Sequence, residues 1–347
     1  MAQQRGGRPS HGDRGHHGEA RGGRGQRRPQ GGPRDAPAGR RGGRAAETRF
    51  DAEPLIGAQL DYALLDSGGG QKLERFGPVT LARPAAQAIW APAEPELWRA
   101  ADARFERFEG GGGRWHDAGG RRPPSWLVEL EESRMVLKTT DFGHLGVFPE
   151  QRAQWRWIRE CCRGRELSVL NLFAYTGGST LAAARGGARV CHVDAARGIV
   201  DWAGENARRS ELGDAPVRWI VDDAMAFVQR EVRRGRRYDG LILDPPSYGR
   251  GRRGETWKIE LDLIDLLSCC RELLMPTPSF VLLSCHSSGF TPTILKHLVE
   301  DVVAGGGTGA FESGEMLLEG AVGARSLPTG CYARWCRDGL GVEGLEA

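Results

Sequence analysis

The sequence predicts an α/β protein built on a doubly wound, mostly parallel sheet, with a small α+β unit before it and a disordered basic tail at the N-terminus. Three observations predict it. From about residue 139, short apolar runs alternate with amphipathic stretches of helical period. The runs are apolar throughout rather than at every second residue, as in strands covered on both faces. Several of them end at a carboxylate, on the sheet edge where such folds hold ligands.

Residues 1–48 are Gly, Arg, Pro, Gln and His, with almost nothing to bury. Such a segment cannot offset its ordering entropy, so disorder is expected. Residues 1–44 hold eleven arginines against three acids, a net of +8; the whole chain is +3, which leaves −5 for the rest. Three Arg-Gly-Gly triplets begin at Arg5, Arg21 and Arg41. Two readings stand for the tail: nonspecific affinity for RNA through charge and guanidinium stacking, or a solubilising extension without a specific partner. No stretch of about 18 apolar residues spans a membrane, and no secretion signal is visible. The eight cysteines include no Cys-x-x-Cys pair, which argues against zinc and for reduced thiols in a cytoplasmic protein. Oligomeric state is not legible.

Residues 49–138 suit a small α+β domain. "LERFGPVTLARP" reads as strands, and "WLVELEESRMVLKTT" as a strand pair turning near Glu132-Ser133. Between them, Leu97, Ala101, Phe105 and Phe108 fall on one helical face. "EGGGGRWHDAGGRRPP" reads as a loop. Nothing here looks catalytic; the expected role is to shape a binding surface.

Residues 139–347 form the third part. Strands are expected at "ELSVLNL", "ARVCHVD", "VRWIVDD", "YDGLILD" and "SFVLLSC". Helices are expected at "GSTLAAARG", "ARGIVDWAGENARRS", "AMAFVQREVRRG", "WKIELDLIDLLSCCRELLM" and from about Pro292. The residues after each strand carry the chemistry. Gly177-Gly178 allows a tight turn and presents the free N–H groups of a helix start. Asp194 can accept both hydroxyls of a ribose or cap the following helix. Of Asp222 and Asp223, one can cap a helix and the other can receive an adenine amino group. Asp244-Pro245-Pro246-Ser247-Tyr248 sets a rigid acceptor beside an aromatic plate, which suits a flat nucleobase. Cys285 ends the fifth strand, as a core hydrophobe or as a thiol tuned by His286.

These stretches resemble a known family. "VLNLFAYTGGSTLAAARGGARVCHVDAA", "IVDDAMAFV", "LILDPPSYGRG" and "VLLSCHSSG" are similar to successive motifs of class I S-adenosylmethionine-dependent methyltransferases, which have a Rossmann-like fold. Within them the chain resembles the large-subunit ribosomal RNA cytosine carbon-5 methyltransferases and their relatives. "FGHLGVFPEQRAQW" and "LPTGCYARW" fit the same group.

The resemblance implies that Phe173, Ala174, Tyr175, Thr176, Gly177 and Gly178 line the methionine part of S-adenosylmethionine. By the same resemblance Asp194 holds the ribose, and Asp223, beside Asp222, meets adenine. Asp244, Pro245, Pro246 and Tyr248 position the base, and Cys285 is the nucleophile that adds to carbon 6 of cytosine. The sequence departs at His286, where the carbon-5 enzymes carry serine, and in having an arginine-glycine tail in place of a separate RNA-binding domain. Two alternatives remain open: methylation of an RNA base nitrogen without covalent catalysis, and a noncatalytic RNA-binding assembly factor on the same fold.

Overall fold

The computed structural model describes residues 61–109, 111–120, 122–250, 256–321 and 323–338. The tail at 1–48 and most of the Gly-Arg run after Tyr248 lie outside these residues.

The first five strands, β1 (Tyr62–Gly68), β2 (Gln71–Phe76), β3 (Val79–Pro84), β4 (Ala103–Arg107) and β5 (Gly113–Asp117), form one sheet in that order. Two expectations are corrected here. The helix over Leu97–Phe108 is a short 3-10 turn at Leu97–Ala100 followed by β4. In β4 Ala103 and Phe105 are buried while Arg104 and Glu106 face solvent, a period of two that the apolar spacing across the turn had disguised as helical. The glycine-rich loop contains β5, which pairs with β4 from Ala103↔Asp117 to Arg107↔Gly113. Sequence reading also missed β1.

The hairpin β6 (Trp126–Leu130) and β7 (Ser133–Leu137) turns one residue earlier than expected, at Glu131-Glu132. Both turn residues have positive φ, 48° and 64°, a conformation usually given to Asn-Gly. Helix α1 (Arg152–Cys162), also missed, holds them: Arg152 and Arg156 pair with Glu131, and Arg159 with Glu132. A turn disfavoured by its own side chains is thus fixed by charges about 25 residues away.

Next come β8 (Ser168–Leu172), α2 (Gly178–Arg185), β9 (Arg189–Asp194), α3 (Arg197–Arg209), β10 (Val217–Val221), α4 (Ala224–Arg233) and β11 (Gly240–Leu243). The chain continues through β12 (Tyr248–Arg250), β13 (Thr256–Lys258), α5 (Ile259–Leu273), β14 (Phe280–Cys285), α6 (Pro292–Val303), β15 (Gly309–Leu318) and β16 (Leu327–Arg337). Helix α5 starts later than the sequence suggested, because Trp257 and Lys258 pair with β12 as a small hairpin. Seven strands make the main sheet in the order β10-β9-β8-β11-β14-β16-β15. The first five are parallel to one another, and β16 and β15 close the edge antiparallel. Strand order reverses between β8 and β11, so the carboxyl ends of these two strands flank a crevice.

Strand β11 lies between β8 and β14, and Leu241, Ile242 and Leu243 are all buried. Its continuous apolar character follows from contact on both faces. Helix α1 packs on α2 where side chains are absent: a Cβ on Gly178 would stand 2.4 Å from the Trp155 ring, and one on Gly186 2.5 Å from Cys162.

Asn206 of α3 joins three parts of the molecule. Its Oδ1 accepts from Val136 N of β7 at 2.8 Å, and its Nδ2 donates to the Thr176 carbonyl at 2.9 Å. Substituting Asn206→Ala strands a buried N–H and a buried C=O, each worth about 1–3 kcal/mol. The expected loss is about 2–4 kcal/mol of stability, read from the urea midpoint; a change within about 0.5 kcal/mol, the range of ordinary surface substitutions, would show that neither bond matters.

Candidate active site at the carboxyl ends of the strands

The loop after β8 is strained. Phe173, Tyr175 and Gly177 have φ of 54°, 49° and 96°; only the glycine adopts such a value at little cost. Three bonds, two from β9 and one from α3, hold the loop. Ala174 N donates to Val193 O at 3.1 Å, Tyr175 N donates to Asp194 Oδ2 at 3.0 Å, and Asn206 carries the Thr176 carbonyl. Gly177 caps the start of α2. Strain kept in place this way is characteristic of ligand-binding segments.

A cavity of about 610 Å³ opens between this loop and the end of β11, within the range of small-molecule and cofactor sites. Phe173, Tyr175, Asp194, Asp222 and Asp223 line one side; Asp244, Pro245, Pro246, Trp257 and His286 line the other. A narrower recess of about 40 Å³ beside it reaches Ala174, Thr176 and Gly178 and shares Phe173, Tyr175 and Asp244 with the larger cavity.

The acids on the first side have defined duties. Asp194 accepts from Tyr175 N and, through Oδ1, from Ala196 N at 3.0 Å. Burial raises its pKa against these main-chain donors. A carboxylate has about four acceptor positions, so its main-chain donors leave capacity for a ligand hydroxyl. Asp223 caps α4, accepting from Ala226 N at 2.9 Å. Asp222 accepts from Asp223 N and pairs with Arg230. Both line the cavity while serving these local roles.

Asp244 is the most heavily supported carboxylate of the site. Ser284 Oγ donates to its Oδ1 at 2.8 Å, and Gln151 Nε2 to its Oδ2 at 3.1 Å. His286 places Nδ1 3.5 Å from Asp244 Oδ1 and Nε2 3.4 Å from Glu150 Oε1. Burial opposes charge on His286, but Asp244 and Glu150 outweigh it and hold the imidazole pKa well above its usual value. Burial likewise opposes charge on Glu150, and His286 with Lys72 brings its pKa down to about 2. Glu150 and Gln151 were missed as functional residues, and His286 was read only as a neighbour that tunes Cys285. Glu150 and Gln151 sit in a short 3-10 turn some 135 residues from His286, so only the fold brings them together; the available signals were the family stretch "FGHLGVFPEQRAQW", which holds Glu150 and Gln151, and the His286 departure from the family pattern.

The Asp244 turn is fixed on its far side too. Trp257 Nε1 donates to the Pro246 carbonyl at 2.7 Å, and Ser287 Oγ bonds Ser247 Oγ at 2.7 Å. Tyr248 is 51% exposed; its neighbours Ser247 and Gly249 line the cavity. Cys285 is not among the residues that line the cavity. The last residue of β14, it is 1% exposed and packs in the core, and its Sγ accepts from Ser287 N at 3.4 Å. Burial pushes the thiol pKa up; the Ser287 N–H and His286 work against this, and Asp244 adds to it.

The charged trio gives a signed pH dependence. The raised His286 pKa contributes stability that is complete below the ordinary imidazole value of 6.5 and is lost as pH rises through the folded value. The lowered Glu150 pKa contributes stability present above the ordinary 4.5 and lost as pH falls toward 2. The stability difference between the protein and His286→Asn should therefore hold near neutral pH and shrink in alkali, while Glu150→Gln should move the His286 NMR titration down. A His286 that titrates at 6.5 in both proteins would refute the coupling.

Comparison with known proteins agrees with this geometry. The sequence profile of a family described as S-adenosylmethionine-dependent methyltransferase matches residues 118–304. The crystal structure of a SAM-dependent methyltransferase from Agrobacterium tumefaciens is 40% identical, with a TM-score of 0.74 over 80% of this chain and 90% of that one. Two curated relatives bear the name ribosomal RNA large subunit methyltransferase K/L. The protein of Syntrophotalea carbinolica is 33% identical over 143 residues, 41% of this chain and 19% of the relative. That of Shewanella baltica is 31% identical over 170 residues, 45% and 23% of the two chains. The chain thus spans about a fifth of the length of these curated relatives. A strained glycine loop, acids at the ends of successive strands and a matching profile over more than half its length lead to one conclusion: the chain belongs to the S-adenosylmethionine-dependent methyltransferases.

Proposed function

We propose that this chain methylates a nucleobase of RNA, in ribosomal RNA of the large subunit, and that the methyl group goes directly to a base nitrogen. The observation that carries the second half is the setting of Asp244 and Cys285. The carboxylate faces the cavity with both oxygens held, whereas the thiol is buried with its pKa raised. Direct transfer to nitrogen needs alignment and desolvation rather than a thiolate. The names of the curated relatives support the RNA class.

In this reading Phe173, Ala174, Tyr175, Thr176, Gly177 and Gly178 hold the methionine part of the cofactor, Asp194 its ribose, and Asp222 and Asp223 its adenine. The residues present fit that group: the loop is preset by its bonds to β9 and α3, and Asp194 retains acceptor capacity. When bound, S-adenosylmethionine supplies an electrophilic methyl carried on a sulfonium. Asp244 accepts the N–H edge of the base and takes the proton that leaves the nitrogen. Pro245 and Pro246 keep its direction fixed, Tyr248 stacks on the extruded base, and His286 offers Asp244 a compensating charge. Residues 1–48 add nonspecific RNA affinity, residues 49–138 form a domain that shapes the RNA surface, and residues 139–347 carry the catalytic domain. The setting is the cytoplasm; among the described residues no helix is long and apolar enough to cross a membrane.

Carbon-5 methylation through Cys285 is the reading to be tested against this one. Cys285→Ala should keep its methylation rate within about threefold, and Asp244→Ala should lose about 10²-fold or more, the usual worth of a positioned acid or base. RNA containing 5-fluorocytosine should form no stable adduct; an adduct that Cys285→Ala abolishes would replace the nitrogen reading. Mass-spectrometric mapping of ribosomal RNA from a deletion strain identifies the nucleotide.

A further inference from the structure

Four aromatic side chains stand out as exposed among the described residues: Phe108 at 46%, Phe142 at 64%, Tyr248 at 51% and Phe311 at 37%. Phe311 lies on β15 with its ring 6.4 Å from that of Trp335. The other three adjoin residues that line the mouth of the cavity: Phe108 follows Arg107, Phe142 precedes His144 by two residues, and Tyr248 lies between Ser247 and Gly249. Clustered exposed rings mark a binding surface where scattered apolar residues do not.

The segments that carry Phe108 and Phe142 each contribute a residue to the cavity lining, Arg107 and His144, and they abut. Phe108 N donates to Gly112 O at 3.1 Å, a Cβ on Gly112 would lie 3.4 Å from the Asp141 carbonyl, and Gly143 faces the Phe105 ring. Arg107, the last residue of β4, is exposed and lines the cavity. No ion pair to Arg107 is found among the described residues, so its exposed guanidinium meets no carboxylate there. From this rim a chain of rings leads inward. His144 lies 5.6 Å from Phe148, and Phe148 lies 5.3 Å from Tyr175 and 5.5 Å from His286, beside Asp244.

We propose that Phe108, Phe142 and Arg107 form a stacking rim for the single-stranded nucleotides that flank the acceptor base, which rests on the RNA reading above. Exposed flat rings beside an arginine without an acidic partner match unstacked bases joined by phosphates: bases stack on the rings, and a phosphate meets the guanidinium. A protein partner could use the rings but leaves the unpaired cation to chance, so RNA fits better. The small N-terminal sheet then supplies substrate contacts to the catalytic sheet, and target choice is divided between Asp244 for the base and this rim for its neighbours.

The test uses the full chain with Phe108→Ala, Phe142→Ala, Arg107→Ala and, as an exposed ring away from the cavity, Phe311→Ala. Affinity for a fluorescein-labelled single-stranded RNA 12-mer is read by anisotropy, KM and kcat on deproteinised ribosomal RNA, and affinity for S-adenosylhomocysteine by calorimetry. Each rim phenylalanine variant should weaken RNA binding and raise KM by about five- to tenfold or more, as the loss of one stacked base does. Arg107→Ala should flatten the salt dependence of log Kd by about 0.7, one phosphate on a single strand. Phe311→Ala should match the unsubstituted protein, and S-adenosylhomocysteine should bind all five proteins equally. Methylation of ribosomal RNA with unchanged KM and Kd in the rim variants would overturn the rim alone and leave the rings to a protein partner. Failure of the unsubstituted protein to methylate any RNA would overturn the RNA reading beneath it.

Discussion

A carboxylate at the end of a fully buried strand must be matched where it stands, and the charge of Asp244 organises much of this molecule. Strand β11 cannot shift, because strands pair with it on both sides, and Asp244 stays where it faces the cavity. Its partners therefore come to it: Ser284 from β14, Gln151 from the turn before α1, and His286 from beyond β14. His286 needs a second acid, and Glu150 supplies it. Glu150 in turn feels Lys72 of β2, which pairs with Glu74, while Arg83 grips Glu74 with two nitrogens at 2.7 and 3.0 Å. Arg83 also donates to Gly143 O beside the cavity mouth. A line of alternating charges thus runs from the small sheet to the reacting end of the large one. Glu74 and Glu150 are buried, and a buried ion is costly when unpaired, so these two depend on their partners.

The cofactor side of the cavity is held by geometry rather than charge. Its loop carries positive φ at two residues with side chains, a conformation that does not persist without support. The support comes from β9, through Val193 and Asp194, and from α3, through Asn206. Asp194 therefore serves the loop and the following chain as well as facing the cavity, and the two readings of it, cap or ribose ligand, are compatible. Loop, strand end and helix fix one another, so the site is shaped before a ligand arrives. Such preorganisation lowers the ordering cost of binding.

Much of this was legible in the sequence where local pattern and burial agree. The five parallel strands and their helices have apolar runs and amphipathic stretches of the right length, and they lie where the pattern put them. The small sheet was read less well. Leu97, Ala101, Phe105 and Phe108 share a helical spacing only because a short turn separates two of them from a strand, and β5 is written almost wholly in Gly, Arg, Trp, His and Asp. Such a strand is defined by its pairing with β4, which its own residues do not announce. The turn at Glu131-Glu132 was displaced by one residue for a similar reason, since its support lies on α1.

The sequence by itself determined the order of the five parallel strands and the helices between them, the acids that end the strands and the glycine loop after the first, because these depend on neighbours within a few residues. It also carried the family motifs. The tertiary structure decided the environment of each side chain. It put Cys285 in the core and His286 in the cavity, although they are adjacent, because successive residues near a strand end face opposite ways. It joined Glu150 to His286 and Arg107 to the cavity across more than a hundred residues. Charge pairing and burial act through space, and a linear pattern does not record which distant groups will share it.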